Sequence, residues 1–582
     1  MRGRAWPTEP AEQVRLLGWA LVIGVASGGA ALLLRAAATW LPQLVWGDGE
    51  NLVRAVSQAP WSWRIAIPVA GAVLAGVVLA VGERWSGAAR GWDILEAVVL
   101  RDGVLHLRPT LVRAFSSLLT VASGGAVGRE GPIVLLSATV ASKLGQARRV
   151  SARRLRILTG CGVAAGLACA YNTPVGSALF TMEIIFGTFA IDVFAPLVFT
   201  SAVATLLTRT VFGDAPVFAV PSLAMANVWE IVPYTALGLL GGLVASAFLQ
   251  ALRSSAGLFR RLNLPRPVAM AAAGLVLGLA IVRFPELVGN GRESIADLFA
   301  QEWLWPRVLA LLALRLLVTS LMVGSGAVGG VFTPTLFIGA MLGYAFGYAV
   351  HGLAPGHSAV PAAYALVGMG ALLAGTTHAP LMSVLMVFEM TLDYNLVVPL
   401  LVASAASSLL ARRLSPDSVY TEALRRQTEA AEPEGAAAAG ALRVREVMRQ
   451  DQVTVSPDLP LAELLDRFLT ARRNHLYVVD GTFRFLGAVN LHDLNRELRR
   501  GAGPHALRAA DLARADFEAT VPDERLDRVL DRFARQECER LPVLAQPGSR
   551  ELVGTVSKRD ILAVYAQELL RTPRARGAGA GD

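Results

Sequence analysis

The stretch Gly128-Arg129-Glu130-Gly131-Pro132 interrupts an apolar part of the chain, with apolar residues at 111–127 before it and at 133–140 after it. An arginine and a glutamate at membrane depth are costly and therefore indicate a functional site. Glycine allows close backbone approach, and proline suits the first turn of a new helix. A helix that begins inside a bilayer presents unpaired N–H groups and the positive end of its dipole, which favours an anion. The stretch therefore predicts an anion site at which the Glu130 carboxylate competes with the anion and acts as its gate.

The same part of the chain contains an internal repeat. Residues 125–128, Gly-Ala-Val-Gly, recur at 326–329, and each copy is followed by a proline, Pro132 or Pro334. The pattern Pro-x-x-Ser-x-Leu-x-x-x-Glu occurs at 174–183 and again, 206 residues later, at 380–389. Two blocks that recur in the same order predict a duplicated membrane domain, and such domains often build a central site from broken helices. Chance similarity between Gly/Ala-rich helices is the alternative.

The composition indicates a membrane domain over residues 1–424. The 582-residue chain is 54% hydrophobic and only 17% charged, which excludes an ordinary soluble protein. Leu16–Leu34 and Ile65–Val81 are long enough to span a bilayer, whereas Ile133–Ala141 and Pro380–Phe388 are too short. Short apolar segments predict helices that stop within the membrane. The expected fold is all-α and membrane-embedded, with the first span retained and not cleaved as a signal peptide.

The basic residues lie at the ends of the apolar segments, in a chain whose net charge is +9. The positive-inside tendency predicts a multi-pass protein of a bacterial-type inner membrane with both termini in the cytoplasm. Basic residues that bracket membrane spans do not form a soluble patch, so no nucleic-acid partner is expected. The three cysteines lack metal-ligand spacing, so no metal site is predicted, and the two in an apolar run are expected to pack. The basic residues are Arg2, Arg4 and Arg15, the groups from Lys143 to Arg156 and from Arg253 to Arg261, and Arg412 with Arg413.

The chain changes character after the membrane domain. An Ala/Glu/Gly-rich linker precedes a soluble α/β region in which one strand–turn–helix unit follows another of the same pattern. This region resembles a tandem pair of CBS modules, also called a Bateman module. The predicted boundaries are 425–441 for the linker, 442–500 and 505–570 for the two modules, and 571–582 for a disordered tail.

Each α/β unit ends in a polar residue three positions before an aspartate. At a strand-to-helix turn, this spacing aims a side chain and helix N–H groups at a phosphate and leaves the aspartate free to bond ribose hydroxyls. An adenine nucleotide (ATP, ADP or AMP) is therefore a candidate ligand, and the basic residues after Ser557 favour the second site. The alternative is that the aspartates only brace their helices and the pair serves dimerisation. The residues are Asn490 and Asp493 in the first unit and Ser557 and Asp560 in the second.

The membrane part, about Arg15–Leu424, resembles the CLC family of chloride channels and proton-coupled chloride transporters. The resemblance rests on the motif around Glu130, on Gly-Gly-Val-Phe-Thr-Pro at 329–334, and on a late tyrosine, Tyr420. It implies an internally duplicated inverted-repeat fold, chloride as the substrate and Glu130 as the gating glutamate. It also implies a homodimer in the lipid bilayer with one pathway per subunit.

The family resemblance also implies the ligands of the anion. Backbone N–H groups of Val331 and Phe332 and the hydroxyl of Tyr420 would hold it, although an ordinary interfacial role for Tyr420 stays open. Such partial charges bind a desolvated anion weakly enough for rapid release. Arg129 and Gly131 complete the predicted anion-binding set. Arg129 either raises the local potential for anions or pairs with a carboxylate to lower its burial cost.

One departure from the family pattern concerns a side-chain ligand. The stretch Gly87–Glu96 lacks the expected serine and proline, so a hydroxyl ligand for the anion is in doubt. Backbone N–H groups near Arg90 and Gly91 are the remaining candidates there.

A second departure concerns the proton path. Ile184 occupies the place of the proton-accepting glutamate of the family's transporters, while Glu183 and its repeat Glu389 are expected to be structural. The missing acceptor favours passive, voltage- or pH-gated conduction over proton-coupled antiport, which stays open as the alternative. A CBS-regulated divalent-cation transporter is a minor alternative, but it requires intramembrane acidic clusters that isolated glutamates do not supply. No nucleophile–base pair or phosphate-cradling lysine loop indicates an enzyme, and no cofactor is expected to be required.

Overall fold

The structure is a computed structural model, and it divides the chain into two compact units, residues 1–424 and 425–582. The predicted linker beyond residue 425, the predicted tail, and the candidate backbone donors Arg90 and Gly91 lie outside the residues that it describes. The described residues are 10–47, 51–86, 94–220, 223, 225–422, 425, 442–450, 452–471, 475–491, 493, 494, 496, 507–536, 538–558, 560, 561 and 564.

The first half of the membrane unit is helical. The predicted spans lie within α1 and α3, and both helices extend beyond their apolar cores. The helices of this half are α1 (Pro10–Trp46), α2 (Leu52–Gln58), α3 (Trp61–Ser86), α4 (Ile94–Leu100), α5 (Leu107–Ala122), α6 (Glu130–Ala147), α7 (Ala152–Tyr171), α8 (Pro174–Phe180) and α9 (Ile191–Phe212).

The second half continues the helical pattern. Across the described part of both halves, eight helices are long and apolar enough to cross a membrane. The helices of the second half are α10 (Ile231–Leu262), α11 (Arg266–Arg283), α12 (Arg292–Ala300), α13 (Trp305–Gly324), α14 (Phe332–Leu353), α15 (Pro361–Thr377), α16 (Pro380–Thr391) and α17 (Val397–Leu414).

The repeat seen in the sequence recurs in the helix order, because α6 to α9 correspond to α14 to α17. In each half a glycine of the second helix allows near-contact with the backbone of the first. A Cβ atom at Gly162 of α7 would lie 2.7 Å from the Ser137 carbonyl oxygen, and one at Gly368 of α15 would overlap the Gly339 carbonyl oxygen. These two glycines are 206 residues apart, the offset of the sequence repeat. Small residues that bring helices together in this way are typical of membrane proteins.

Two helices of the repeat are short, as the sequence predicts. Helix α8 starts with Pro174 and continues for one π-helical turn, Thr181–Phe186, while α16 starts with Pro380 and has 12 residues. Proline is favoured at the first helical position because its missing N–H would be unpaired there anyway. The start of α6 at Glu130 likewise confirms the predicted helix start in the Gly128–Pro132 stretch.

The second unit contains two small sheets. Strand β1 (Thr454–Val455) runs parallel to β2 (His475–Val479), which pairs antiparallel with β3 (Phe485–Asn490). Helices α18 (Leu461–Ala471), α19 (Ala509–Leu512) and α20 (Leu526–Gln536) accompany them, and β4 (Arg540–Leu544) pairs antiparallel with β5 (Leu552–Ser557).

The two modules of this unit exchange their starting segments. Arg449, near the start of the first module, forms a β-bridge with Thr555 of β5, and Arg514 of the second forms one with Ala488 of β3. The cysteines are buried. Cys161 and Cys169 are buried in the membrane unit, as predicted, and Cys538 is buried in the second module. Burial raises the pKa of the Cys538 thiol to about 11, so it is protonated at neutral pH and acts as a packing residue.

Candidate functional site

The two repeated loops pair directly with each other. Gly128 N–H donates to the Gly330 carbonyl oxygen (2.6 Å), and Gly330 N–H donates to the Gly128 carbonyl oxygen (2.7 Å). This short antiparallel bridge brings the start of α6 next to the start of α14. Two helix N-termini therefore converge within the membrane unit, which is the electrostatic arrangement that favours an anion.

The carboxylate of Glu130 occupies the start of the opposite helix. Its Oε1 atom accepts hydrogen bonds from Phe332 N–H (2.9 Å) and Thr333 N–H (3.2 Å), and its Oε2 atom lies 3.4 Å from Thr333 Oγ1. Only 4% of Glu130 is exposed. The carboxylate thus lies where the N–H groups of α14 would hold a free anion.

Glycines make room for this carboxylate. A Cβ atom at Gly330 would lie 2.5 Å from Glu130 Oε1, and one at Gly128 would overlap the carboxylate. Gly131 faces the partner loop, since a Cβ atom there would lie 3.1 Å from Gly330 N. The glycines of the sequence motif are therefore required by the packing of the Glu130 side chain and by the approach of the two loops.

The backbone donors to the carboxylate are Phe332 and Thr333, the first two residues of α14, whereas Val331 precedes the helix and its carbonyl accepts from Thr335 N–H (2.9 Å). Val331 and Phe332 as ligands of a free anion stay a prediction. The hydroxyl of Thr333 is itself 2.7 Å from the Tyr171 hydroxyl. A helix leaves its first few N–H groups unpaired, and this rule could have pointed to Thr333 from the sequence. Nothing in the sequence spacing indicated Tyr171.

Arg129 lies in a small basic cavity together with Arg35, Arg292 and Glu130. The Arg129 guanidinium donates to the hydroxyl of Thr39 of α1 (3.0 Å), and the Arg35 guanidinium lies 4.3 Å from the centre of the Phe212 ring. The cavity has a volume of about 10 Å³, enough for about one water molecule. Three guanidinium groups face the Glu130 carboxylate here, with Glu293 also close to Arg292, so positive charge is in excess. Both sequence interpretations of Arg129 stay predictions.

Tyr420 lies near the ends of α8 and α15. Its ring is perpendicular to that of Phe180 with the centroids 5.4 Å apart, and the neighbouring Val419 N–H donates to the Thr376 carbonyl oxygen (3.0 Å). Tyr420 is half-buried against the main core of the membrane unit. The role of its hydroxyl as an anion ligand stays a prediction.

Ile184, at the place of the expected proton acceptor, is buried in the π-helical turn that follows α8. The adjacent Glu183 carboxylate accepts a hydrogen bond from Met382 N–H at the start of α16 (2.9 Å). Glu183 is thus engaged in joining two helices, in agreement with the structural role predicted for it.

In the second unit, the first residue of each predicted polar pair lies at the end of a strand. Asn490 ends β3 and Ser557 ends β5. Ser557 Oγ lies 2.7 Å from an oxygen of Asp560 and accepts from Asp560 N–H (3.0 Å). The hydroxyl therefore caps the start of the following segment, as a serine at a helix start often does.

The structure places an arginine beside each of the two aspartates. Asp560 forms an ion pair with Arg449 (2.7 Å), and Asp493 pairs with Arg496 and lies 3.9 Å from Arg514. The physical reason is the exchange of starting segments, which brings an arginine of each module close to the aspartate of the other. A ribose would therefore have to compete with an arginine for each aspartate.

The geometry defines a class: a duplicated helical membrane protein in which two helix starts meet and a buried carboxylate accepts hydrogen bonds from one of them. Residues 70–412 match the family described as voltage gated chloride channel, and residues 444–500 and 509–567 each match the CBS domain. The chain belongs to this chloride channel family, the CLC family, and carries a pair of CBS domains.

Individual relatives agree with this assignment. The chain is 42% identical over 421 residues to a putative chloride channel protein, ClcB-like, of Ralstonia nicotianae, covering 71% of this chain and 97% of the relative. It is 36% identical over 379 residues to the voltage-gated ClC-type chloride channel ClcB of Citrobacter koseri, covering 64% and 90%.

Solved structures show the same fold. A slow cyanobacterial Cl⁻/H⁺ antiporter matches with a TM-score of 0.63 and 25% identity over 71% of this chain and 97% of that protein. A eukaryotic CLC transporter matches with a TM-score of 0.62 and 19% identity over 94% and 98%. The inverted-repeat membrane fold with a C-terminal CBS pair, predicted from the sequence, is confirmed.

Proposed function

We propose that this protein conducts chloride passively across a membrane and that Glu130 is its gate. The observation that carries the proposal is the position of the Glu130 carboxylate, whose Oε1 accepts from Phe332 N–H (2.9 Å) and Thr333 N–H (3.2 Å). An ionised carboxylate in this position excludes an anion by occupying its donors and by repelling it. Chloride binding at the same N–H groups requires that the side chain leave.

Protonation of the Glu130 carboxylate allows the side chain to leave these N–H groups. A neutral carboxyl group loses the charge-assisted hydrogen bonds and the attraction to the two helix dipoles, so it competes less well with chloride for the same donors. Arg35, Arg129 and Arg292 then raise the local concentration of anions beside the gate. Backbone N–H groups with partial charges bind chloride without trapping it.

The mode of transport is the finer part of the proposal. Ile184 cannot titrate and is buried, so the transfer of protons towards Glu130 lacks the carboxylate that an antiporter of this family would use there. The likeness to a Cl⁻/H⁺ antiporter of known structure, 25% identical, supports antiport as the second candidate. Family membership favours either mode over divalent-cation transport.

Simultaneous recording of chloride and proton flux in liposomes that contain the purified protein tests the proposal. A chloride gradient should drive chloride flux with little or no uphill proton movement. Sustained proton accumulation at a fixed ratio to chloride would establish the antiporter instead. Protein-free liposomes provide the control for chloride leak through the lipid.

We further propose that Val331, Gly131 and the hydroxyl of Tyr420 contact the anion along the same pathway. The support for Tyr420 is its place near the ends of α8 and α15, and that for Gly131 is its position against the Gly330 loop. Tyr420→Phe removes only the hydroxyl and keeps the ring contact with Phe180. A lower chloride affinity in this variant, measured by calorimetry, supports the assignment, and unchanged affinity opposes it.

We also propose a membrane orientation and an oligomeric state for this chain. The domain limits given from the sequence likewise stay proposals. The basic residues after α6 and at the ends of α10 and α17 support cytoplasmic termini in an inner membrane. We propose a homodimer with one pathway per subunit. Protease cleavage of the CBS pair only in inside-out vesicles tests the orientation, and the mass of the protein–detergent complex tests the dimer.

A further inference from the structure

A groove between α10 and α13 has features that the anion pathway does not use. Its volume is about 670 Å³, in the range of typical ligand sites. Leu258 of α10 and Leu317 of α13 line it, and each is 47% exposed. Exposed leucines on membrane-spanning helices suit contact with the acyl chains of lipids.

Two buried hydroxyls line the same groove. Ser255 is 6% exposed and Ser320 is 2% exposed, and among the described residues neither hydroxyl has a hydrogen-bond partner. The close approach of the helices at Gly324 fixes the position of Ser255, because a Cβ atom at Gly324 would overlap the Ser255 hydroxyl oxygen. An unpaired buried hydroxyl costs free energy, and the oxygen of a ligand in the groove would remove that cost.

Arginines supply positive charge at the same place. Arg261 is exposed in the last turn of α10, and Arg253 lines the groove about two turns earlier. Arg253 is held in position by its ion pair with Glu422 (3.0 Å) and by a hydrogen bond to the Asp417 carbonyl oxygen (3.3 Å). Among the described residues, those that line the groove include these two arginines and no acidic residue, and since Glu422 balances the charge of Arg253, the net positive charge comes from Arg261.

We propose that the groove binds an anionic phospholipid. Its phosphate lies at Arg253 and Arg261, its glycerol and ester oxygens accept a hydrogen bond from Ser320, and its acyl chains follow Leu258 and Leu317. Basic pockets between membrane helices are typical sites for anionic headgroups. The apolar walls distinguish this occupant from a free phosphate, which would gain nothing from leucine side chains.

Native mass spectrometry of the purified full chain in detergent, titrated with single lipids, tests the proposal. We expect phosphatidylglycerol to bind more tightly than phosphatidylcholine of the same chain length. Arg261→Gln should weaken phosphatidylglycerol binding about fivefold, the factor that corresponds to ~1 kcal/mol for one arginine near an anionic headgroup. Ser320→Ala should weaken it as well, and Arg84→Gln, in the last turn of α3, should leave it unchanged.

Three results would overturn the assignment. Equal binding of the two lipids would show that the groove does not select charge. Unchanged phosphatidylglycerol binding in both Arg261→Gln and Ser320→Ala, with unfolding temperatures equal to that of the parent chain, would place the lipid elsewhere. Competition by soluble sn-glycerol 3-phosphate at the same concentration as the lipid would identify a free-phosphate site. None of these results depends on whether the protein transports chloride.

Discussion

Glu389 of α16 accepts a hydrogen bond from Gly176 N–H at the start of α8 (2.7 Å), and its other oxygen accepts from Val175 N–H (3.0 Å). The repeat partner Glu183 does the same in the opposite direction, because it accepts from Met382 N–H at the start of α16 (2.9 Å). Each glutamate thus pairs N–H groups that the helix start of the other repeat leaves unsatisfied. The exchange joins the two halves of the domain and explains why a glutamate ends both sequence blocks.

Glu389→Gln should therefore destabilise the membrane unit without removing the pathway. The amide keeps one acceptor but loses the charge that strengthens both hydrogen bonds, so we expect the free energy of unfolding to fall by about 1–2 kcal/mol. Thermal unfolding in detergent measures the change, and Glu302→Gln, at an exposed position, is the matched control. Equal unfolding temperatures for the two variants would contradict the structural role of Glu389.

The amino-acid sequence was sufficient to predict the features that repeat or that interrupt an apolar segment. The gate motif could be found because charge is rare at membrane depth. The short helices and the CBS pair could be found because their sequence patterns occur twice in the same order. Contacts between distant segments could not be found in this way. Arg35 and Arg292 meet Arg129 only because α1 and α12 pack around the start of α6, and no sequence spacing relates the three. Likewise, the pairing of Asp560 with Arg449 follows from the exchange between modules.

Glu130→Gln should fix the gate in its protonated form. We expect chloride flux through the wild-type protein to rise as the external pH falls, because protonation releases the carboxyl group from Phe332 N–H and Thr333 N–H. In the variant the flux should persist or increase. The ratio of the flux at about pH 5 to the flux at about pH 7.5 should approach one, and both pH values lie above the ordinary pKa of a glutamate. Efflux from liposomes at both pH values measures this, with Glu302→Gln as the control. A wild-type pH response in Glu130→Gln would remove Glu130 as the gate.

Gly330→Ala tests the same gate by steric means. The new methyl group would lie 2.5 Å from Glu130 Oε1. Overpacking of this kind costs about 1–3 kcal/mol, which the carboxylate relieves by leaving the donors of α14. We expect a larger chloride flux at neutral pH than in the parent chain. Gly352→Ala, where the added methyl group meets nothing within 4 Å, is the control, and a lower flux in Gly330→Ala than in this control would contradict the prediction.

Arg292→Gln should weaken the capture of chloride by the basic cavity. One unit charge at about 4 Å in water contributes roughly 1 kcal/mol, so the chloride concentration for half-maximal flux should rise about fivefold at low ionic strength. High ionic strength should reduce the difference, because salt screens the interaction. Flux measured over a range of chloride concentrations tests this against Arg283→Gln, at the end of α11. Equal chloride dependence of the two variants would show that Arg292 does not attract the anion.

Because Asp560 forms an ion pair with Arg449, nucleotide binding can be tested with two variants that should have opposite effects on affinity. We propose that an adenine nucleotide binds at Ser557 and Asp560, where its ribose hydroxyls replace the Arg449 guanidinium as partners of the carboxylate. Asp560→Asn should then weaken AMP binding by about 1–3 kcal/mol, since the ribose loses a charged acceptor. Arg449→Gln removes the competitor and should leave AMP binding at least as tight as in the parent chain.

Titration calorimetry of the full chain with AMP, ADP and ATP measures these affinities, and Asp493→Asn and Asn490→Ala report on the first module. If Arg449→Gln and Asp560→Asn weaken binding equally, the arginine itself contacts the nucleotide and the replacement at Asp560 is wrong. If millimolar nucleotide gives neither heat nor a higher unfolding temperature, the aspartates serve only to join the two modules through their arginines. The exposed position of Arg449, whose side chain is 59% exposed, makes its release from Asp560 inexpensive, and this favours nucleotide binding at the second module.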